Sequence, residues 1–146
     1  MATPGPGGEI RMTETARPAA SPFLMSSDAA CPPQLLSLAT GAPARPIAFV
    51  RAVGGPILET ARDAHAAGLA IPVLVGEAGQ IEADAAAIGW SLEGARIIDA
   101  DGEQEAIEAA VAEVGSGQAH GLIKGQIHTD VFMGTIVRRT SGIRTD

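Results

Sequence analysis

Residues 71–88, with the sequence IPVLVGEAGQIEADAAAI, carry two different apolar patterns one after the other. Ile71–Val75 is a short, continuous apolar run that stops at Gly76, which is typical of a strand buried on both faces. Gly79–Ile88 instead has apolar residues at helical spacing, namely Ile81, Ala85 and Ile88. The stretch therefore predicts a buried strand followed directly by an amphipathic helix.

The same strand-and-helix pattern occurs three more times along the chain. Apolar runs predict the other strands at Ile47–Val53, Arg96–Ala100 and Ala119–Ile123. Helical patterns follow them, from Ile57 until Gly68, at Glu103–Val114 and at Thr129–Arg139. Successive strand–helix units favour right-handed crossovers and a parallel sheet. We therefore predict an α/β fold of three layers, with a parallel sheet between helices on both faces.

The first 33 residues differ in composition from the rest of the chain. They are rich in Pro, Gly, Ala, Ser and Thr, and eight of the ten prolines fall at or before Pro46. We interpret residues 1–33 as a flexible leader and residues 34–146 as the folded domain. A linker from an upstream domain, or a short docking segment, is the alternative interpretation of the leader.

Charge and cysteine content narrow the classes of function. A net charge of −7 argues against a general nucleic-acid binder, because phosphate backbones require a basic surface. The single Cys31 cannot form a disulfide within the chain, as expected in a reducing compartment. The chain has neither a signal-peptide pattern nor an apolar stretch of the roughly 20 residues that a membrane span needs. These features predict a soluble cytoplasmic protein.

The stretch from Leu122 to Asp130 carries the strongest candidate site. Lys124 is placed at the carboxyl end of a predicted strand, and Gly125 lets the backbone turn tightly and approach a ligand closely. Thr129 or Asp130 is expected to cap the next helix, whose free amides and dipole favour an anion. His128 adds a donor, or a charge when protonated. The pattern indicates a phosphate site, and its alternative is a capped helix with a solvated lysine and a packed histidine.

Two other patterns carry weaker signals. Asp99, Asp101 and Glu103 follow the third strand and resemble a carboxylate cluster for a divalent metal or a ribose. Turn and cap chemistry explains them equally well, and we favour that explanation. Gly54-Gly55-Pro56 follows a strand but lacks the spacing of a dinucleotide-binding fingerprint. We therefore predict neither a metal site nor a dinucleotide site.

Several segments together resemble the phosphate acetyl/butyryltransferase family. Residues 124–129, Lys-Gly-Gln-Ile-His-Thr, are followed by a helix and then by residues 142–145, Gly-Ile-Arg-Thr. Upstream, Ala67-Gly68-Leu69 precedes Ile71–Gly76, which resembles the second strand unit of the family. The resemblance runs from about Leu35 to the last residue, and Ile143 stands where a leucine is expected. It covers the N-terminal part of the family's enzymes only.

This resemblance implies a function and a set of site residues. It implies reversible acyl transfer, in which acyl-CoA and phosphate give acyl phosphate and CoA, without a metal or another cofactor. Lys124, His128 and Thr129 are implied to bind phosphate or CoA, and Arg144 to reach the acyl-phosphate region. The implied fold is the isopropylmalate-dehydrogenase-like fold, in truncated form, and the full-length enzyme is implied to be a homodimer. The catalytic carboxylate and a second phosphate-binding arginine are expected in a C-terminal half outside this chain, which would leave the chain incomplete as an enzyme.

Two alternatives to this function remain open on sequence grounds. One is another enzyme on the same architecture, such as an acyl-carrier-protein-linked phosphate acyltransferase. Related hydroxyacid dehydrogenases are less favoured, because no convincing set of aspartate metal ligands is present. The other alternative belongs to a different class: a truncated, non-catalytic α/β module that binds a partner through an exposed sheet edge.

Overall fold

A computed structural model describes residues 32–143. Cys31, Arg144 and nearly all of the predicted leader lie outside these described residues, so what we inferred for them stays a prediction. The chain divides into two units, Met1–Leu36 and Ser37–Asp146, and the fold below is that of the second unit. No helix among residues 32–143 is long and apolar enough to cross a membrane.

Helices and strands alternate along the described chain. In chain order the elements are α1 (Pro33–Thr40), β1 (Arg45–Val50), α2 (Gly55–Ala66), β2 (Ala70–Gly76), α3 (Ala78–Ala87), β3 (Arg96–Asp99), α4 (Gly102–Gly115), β4 (Leu122–Lys124) and α5 (Thr129–Ile136), followed by a 3₁₀ turn (Arg139–Ser141). The four predicted strand–helix units are confirmed. A parallel sheet requires such crossovers, because consecutive parallel strands cannot be joined by a tight hairpin.

The four strands form one parallel sheet in the order β3-β2-β1-β4. The central pair is β1 and β2, in which Arg45 pairs with Ala70 and Val50 pairs with Val75. β4 pairs with the last three residues of β1, so that Lys124 lies opposite Val50. The α/β class and the parallel sheet are therefore confirmed.

Side chains alternate across the sheet and form two apolar clusters. On one face, Ala48, Val50, Val73 and Val75 pack with residues of α4 and α5, including Ala106, Ile107, Val111 and Phe132. On the other face, Phe49 and Leu74 pack with residues of α2 and α3, including Leu58, Ala61, Ile81 and Ala85. Each cluster buries small aliphatic side chains between the sheet and a helix pair. The predicted three-layer arrangement, with helices on both faces, is confirmed.

In three elements, one predicted end was wrong by three residues. β1 ends at Val50 instead of Val53, because Arg51 adopts a left-handed backbone conformation with φ of 49° and turns the chain out of the strand. β4 covers Leu122–Lys124 instead of Ala119–Ile123, although the amide of His120 already donates to the carbonyl oxygen of Pro46 at 2.8 Å. α5 ends at Ile136, three residues before the predicted end at Arg139.

Candidate functional site

The sheet order places a crevice at the carboxyl ends of β1 and β4. The chain runs outward from β1 through β2 to β3, and then returns across the sheet to place β4 on the other side of β1. The helices that follow β1 and β4 consequently pack on opposite faces of the sheet. In open α/β sheets such a switch point leaves a crevice between adjacent strand ends, where ligands bind. The loops after Val50 and Lys124 line this crevice.

Gly125 brings these two loops into direct backbone contact. Its amide donates to the carbonyl oxygen of Val50 at 2.9 Å, and the Gln126 amide donates to the carbonyl oxygen of Arg51 at 3.1 Å. A Cβ atom at position 125 would lie 2.6 Å from both of those carbonyl oxygens. The glycine is therefore required by close packing against the end of β1, a neighbour that the sequence did not identify.

Two open clefts lie beside this contact and share Lys124, Gly125 and Gln126. The first has a volume of about 320 Å³ and is further lined by Val53, Pro56, Ile57 and Thr60. The second has a volume of about 260 Å³ and is further lined by Arg51, Glu103, Ile127 and His128. Lys124 therefore borders both clefts from the end of β4.

Lys124 is the only lysine of the chain, and its side chain is exposed at the end of β4. Within residues 32–143, no hydrogen bond or ion pair of the structure uses its ammonium group. The chain as a whole carries a net charge of −7, so an exposed cation beside two clefts is a local exception to its negative charge. The ammonium group can therefore bind an anionic ligand without first breaking an internal ion pair.

Arg51, the next cation at this edge, is fully engaged with protein groups. Its guanidinium lies 3.2 Å from Glu77 Oε1 and 3.4 Å from Glu103 Oε1. It also donates to the carbonyl oxygen of Gln126 at 3.1 Å. One arginine after β1 thus connects the loops that follow β2 and β4 with the first turn of α4.

Glu103 continues this connection to His128. Its two carboxylate oxygens lie 2.7 and 2.9 Å from the ring Nδ1 of His128. Oε2 also accepts a hydrogen bond from the backbone amide of His128 at 3.1 Å. These contacts connect the first turn of α4 to the residue that immediately precedes α5.

The two carboxylates of this cluster have lowered pKa values. For Glu103, the hydrogen bond from the backbone amide of His128 lowers the pKa most, and the His128 ring and the Arg51 guanidinium lower it further. For Glu77, burial raises the pKa, but hydrogen bonds from its own backbone amide, from Arg51 and from the Gly102 amide together lower it below its usual value. Both groups therefore stay ionised to a lower pH than an ordinary glutamate.

Comparison with known proteins gives relatives of a single kind. The chain matches no protein-family model. Phosphate butyryltransferase of Clostridium beijerinckii is 32% identical over 112 residues, which cover 77% of this chain and 37% of that protein. Its counterpart in Clostridium acetobutylicum is 31% identical over 99 residues, 68% of this chain and 33% of that protein. Phosphate acetyltransferase of Rickettsia typhi is 33% identical over 75 residues, 51% of this chain and 22% of that protein.

This chain is homologous to the phosphate butyryl- and acetyltransferases. The family resemblance inferred from the motifs is thereby confirmed. The chain spans about a third of the length of the phosphate butyryltransferases that it matches. That partial coverage agrees with a resemblance to only one part of the family's enzymes.

Three of the four site residues predicted for a phosphate acyltransferase lie near the carboxyl ends of β1 and β4, a region that we call the β1/β4 edge. Lys124 and His128 both line the second cleft. Thr129 is the exposed first residue of α5. Arg144 lies outside the described residues. Whether these residues bind phosphate or CoA stays a prediction.

The predicted cap of α5 was wrong. The residue at the N-cap position is His128, with neither Thr129 nor Asp130 there, and it makes no side-chain capping hydrogen bond. Thr129 is already the first residue of the helix. The carboxylate of Glu103 satisfies the His128 amide from outside the helix.

The acidic residues after β3 have separate contacts. Asp99 Oδ1 accepts a hydrogen bond from the Ala78 amide at 2.9 Å, at the start of α3, and Asp101 occupies the N-cap position of α4. Asp99 thus contacts the start of α3 from the end of β3, and the Asp101 side chain makes no capping hydrogen bond at its N-cap position. Glu103 instead pairs with Arg51 and His128 across the sheet edge.

Sequence reasoning missed Arg51 and Glu77. Arg51 fell inside the predicted strand Ile47–Val53 and was not singled out. Glu77 follows Gly76 at the end of the second predicted strand, and no motif distinguished it. A usable signal existed, since β1 and β2 are each followed directly by a charged residue, and β3 and β4 each end on one. The carboxyl ends of parallel strands share one edge, so these charges must lie near one another.

The lowered pKa values of Glu77 and Glu103 predict a pH dependence of stability. Both pKa values are below the usual 4.5 in the folded chain, so these carboxylates stabilise the fold at pH values above about 4.5. That stabilisation is lost as the pH falls through the folded pKa values. We expect the free energy of unfolding, measured with urea from about pH 6 to about pH 3, to decrease less steeply in a Glu77→Gln/Glu103→Gln variant.

Glu82→Gln is the matched control for this measurement, because Glu82 is exposed on α3 and makes no hydrogen bond or ion pair among the described residues. Its unfolding free energy should follow that of the wild-type chain over the same pH range. A double variant with an unchanged slope would contradict the stabilising role of the two carboxylates.

Proposed function

We propose that this chain is part of a phosphate acyltransferase, which transfers an acyl group reversibly between CoA and inorganic phosphate. In this proposal the β1/β4 edge binds phosphate, or the phosphate groups of CoA. Homology to phosphate butyryl- and acetyltransferases supports the type of reaction. The observation that carries the choice of site is Lys124, an exposed cation that has no ion pair within residues 32–143 and lies between two clefts at the switch point.

The proposed chemistry needs cations near the reacting phosphate. A phosphate oxygen attacks the thioester carbonyl carbon, the carbon–sulfur bond breaks, and the thiolate of CoA leaves and takes up a proton. The negative charge of phosphate and of the tetrahedral transition state would be offset by the Lys124 ammonium and by the amides at the start of α5. Thr129 would add a hydroxyl, and Arg144 would act near the acyl phosphate.

Other parts of the proposal concern the whole enzyme. A catalytic carboxylate and a second phosphate-binding arginine would come from the roughly two thirds of the relatives' length that this chain does not match. The complete enzyme would be a cytoplasmic homodimer with an isopropylmalate-dehydrogenase-like fold. It would use CoA as a substrate and require no further cofactor.

Ligand binding to the isolated chain tests the site directly. We expect inorganic phosphate and CoA to shift the amide NMR resonances of Lys124, Gly125 and the first turn of α5. The amino end of the sheet, around Arg45, should stay unshifted and serves as an internal control. A chain that binds neither ligand at millimolar concentration would contradict the proposal.

Turnover is measured separately, as release of free thiol from acetyl-CoA or butyryl-CoA in the presence of phosphate. If the catalytic carboxylate is supplied by sequence outside this chain, the chain alone should bind both ligands but release little thiol. Thiol release without phosphate dependence would contradict the reaction proposed.

A further inference from the structure

The contact between Glu103 and His128 is unusually complete for a pair at the surface. One carboxylate receives the backbone amide of His128 at 3.1 Å and faces its ring Nδ1 with both oxygens, at 2.7 and 2.9 Å. The two residues are 25 positions apart, so the pairing is set by the tertiary fold. The carboxylate thus holds both the main chain and the ring of His128.

The two partners differ in how firmly they are held. The Glu103 side chain is 21% exposed, whereas that of His128 is 80% exposed. The Arg51 guanidinium also lies 3.4 Å from Oε1 of Glu103, and Arg51 in turn pairs with Glu77. The carboxylate is therefore the anchored partner, and the imidazole is the group whose orientation depends on the contact.

Hydrogen-bond chemistry then determines which ring nitrogen carries the proton. An ionised carboxylate can only accept, so Nδ1 of His128 must be the donor in this pair. The other ring nitrogen, Nε2, makes no hydrogen bond within residues 32–143. His128 lines the same cleft of about 260 Å³ as Lys124. Nε2 is thus left for a ligand at the edge where the Lys124 ammonium already favours an anion.

We propose that Glu103 is a positioning residue, which holds His128 in the form protonated at Nδ1 and leaves Nε2 to contact a phosphate group of the ligand. The identity of the ligand rests on the proposed function, whereas the protonation of the ring does not. Neutral His128 presents Nε2 as an acceptor for a P–OH group, and protonated His128 presents it as a donor to a phosphate oxygen. Glu103 acts through His128 and does not itself contact the ligand.

The state of the His128 ring is measured by long-range ¹H–¹⁵N NMR correlation without any ligand. In the wild-type chain, neutral His128 should show a protonated Nδ1 and an unprotonated Nε2. Glu103→Gln should shift this ring toward the Nε2–H form, because the amide nitrogen of glutamine can donate to Nδ1. A wild-type ring protonated mainly at Nε2, or a ring unchanged in Glu103→Gln, would overturn the proposal.

Glu77→Gln is the matched control for the ring measurement. It removes a carboxylate from the same guanidinium of Arg51 but does not contact His128. The His128 tautomer should be unchanged in this variant. A change of similar size in both variants would show that loss of the Arg51 ion pairs, and not the direct contact, determines the ring state, and would overturn the proposal.

Phosphate affinity is the second readout. Glu103→Gln should weaken binding of inorganic phosphate about two- to five-fold, as expected for loss of one exposed charged contact. Glu105→Gln, which removes the same charge from the same helix turn, should bind phosphate at least as tightly as the wild-type chain. If the wild-type chain binds phosphate and Glu103→Gln binds it equally well, the positioning role is overturned. If the tautomer is as expected but phosphate does not bind, the proposed function fails and the ring assignment stands.

Discussion

Replacing Gly125 with alanine is expected to lower the free energy of unfolding by about 2–3 kcal/mol, a large share of the stability of a small domain. The added Cβ would lie 2.6 Å from the carbonyl oxygens of Val50 and Arg51, and 3.2 Å from the carbonyl carbon of Arg51. All three are backbone atoms, so no side chain can rotate away. The β4–α5 loop must move outward, which lengthens the two hydrogen bonds between the loops. Urea unfolding of the variant measures the loss.

Gly134→Ala is the matched control for this prediction. Gly134 lies inside α5, and a Cβ atom there would have nothing within 4 Å. Alanine is the better helix former, so this variant should be as stable as the wild-type chain or more stable by up to about 1 kcal/mol. Equal stability of Gly125→Ala and the wild-type chain would show that the loop is not packed against β1 as described.

Replacing Lys124 with alanine is expected to weaken phosphate binding about tenfold or more. A hydrogen bond to a charged group contributes about 1.5–3 kcal/mol, and about 1.4 kcal/mol corresponds to a factor of ten in affinity. Arg51, the described arginine that lines the second cleft, cannot readily replace it because its guanidinium is already paired with Glu77 and Glu103. The unfolding free energy should change by no more than about 0.5 kcal/mol, since the side chain is exposed. Titration with inorganic phosphate, followed by NMR or calorimetry, measures the effect.

Arg45→Ala separates a local effect from a general change of net charge. Arg45 begins β1 and lies at the opposite end of the strands from Lys124, so its loss changes the net charge equally without touching the clefts. Its phosphate affinity should stay within about two-fold of the wild-type value. Lys124→Arg should keep most of the affinity, because the charge is retained. A similar loss in Lys124→Ala and Arg45→Ala would argue against a site at Lys124.

The sequence was sufficient for the architecture because burial determines it. A strand buried on both faces must be apolar throughout, and the helices that cover it must be apolar on one side. IPVLV at Ile71–Val75 and the helical spacing of Gly79–Ile88 meet these conditions, and both elements are present in the structure. The strand ends were less predictable, since Ala52 and Val53 are apolar but follow the turn at Arg51. Hydrophobicity alone could not locate that turn.

The candidate site was only partly predictable, for a different reason. Lys124 and His128 are close in sequence and could be recognised as one motif. The contacts of Glu103 with His128 and with Arg51 span 25 and 52 positions. They depend on β4 lying beside β1, and the strand order is not encoded in any local pattern. The sequence around Glu103 therefore looks the same whether its carboxylate caps a turn or pairs with residues on neighbouring elements.

At position 51 the backbone conformation favours glycine, whereas the side-chain contacts require arginine. A φ of 49° costs a non-glycine residue roughly 1–2 kcal/mol, and glycine would relieve it. Glycine would also remove the guanidinium that joins Glu77, Glu103 and the carbonyl of Gln126. Local strain at the end of β1 thus accompanies a guanidinium that joins the loops after β2 and β4 to the first turn of α4. If a bound ligand displaced the loop after β4, the Arg51 contacts would transmit that displacement to the loop after β2. The two loops would therefore move together.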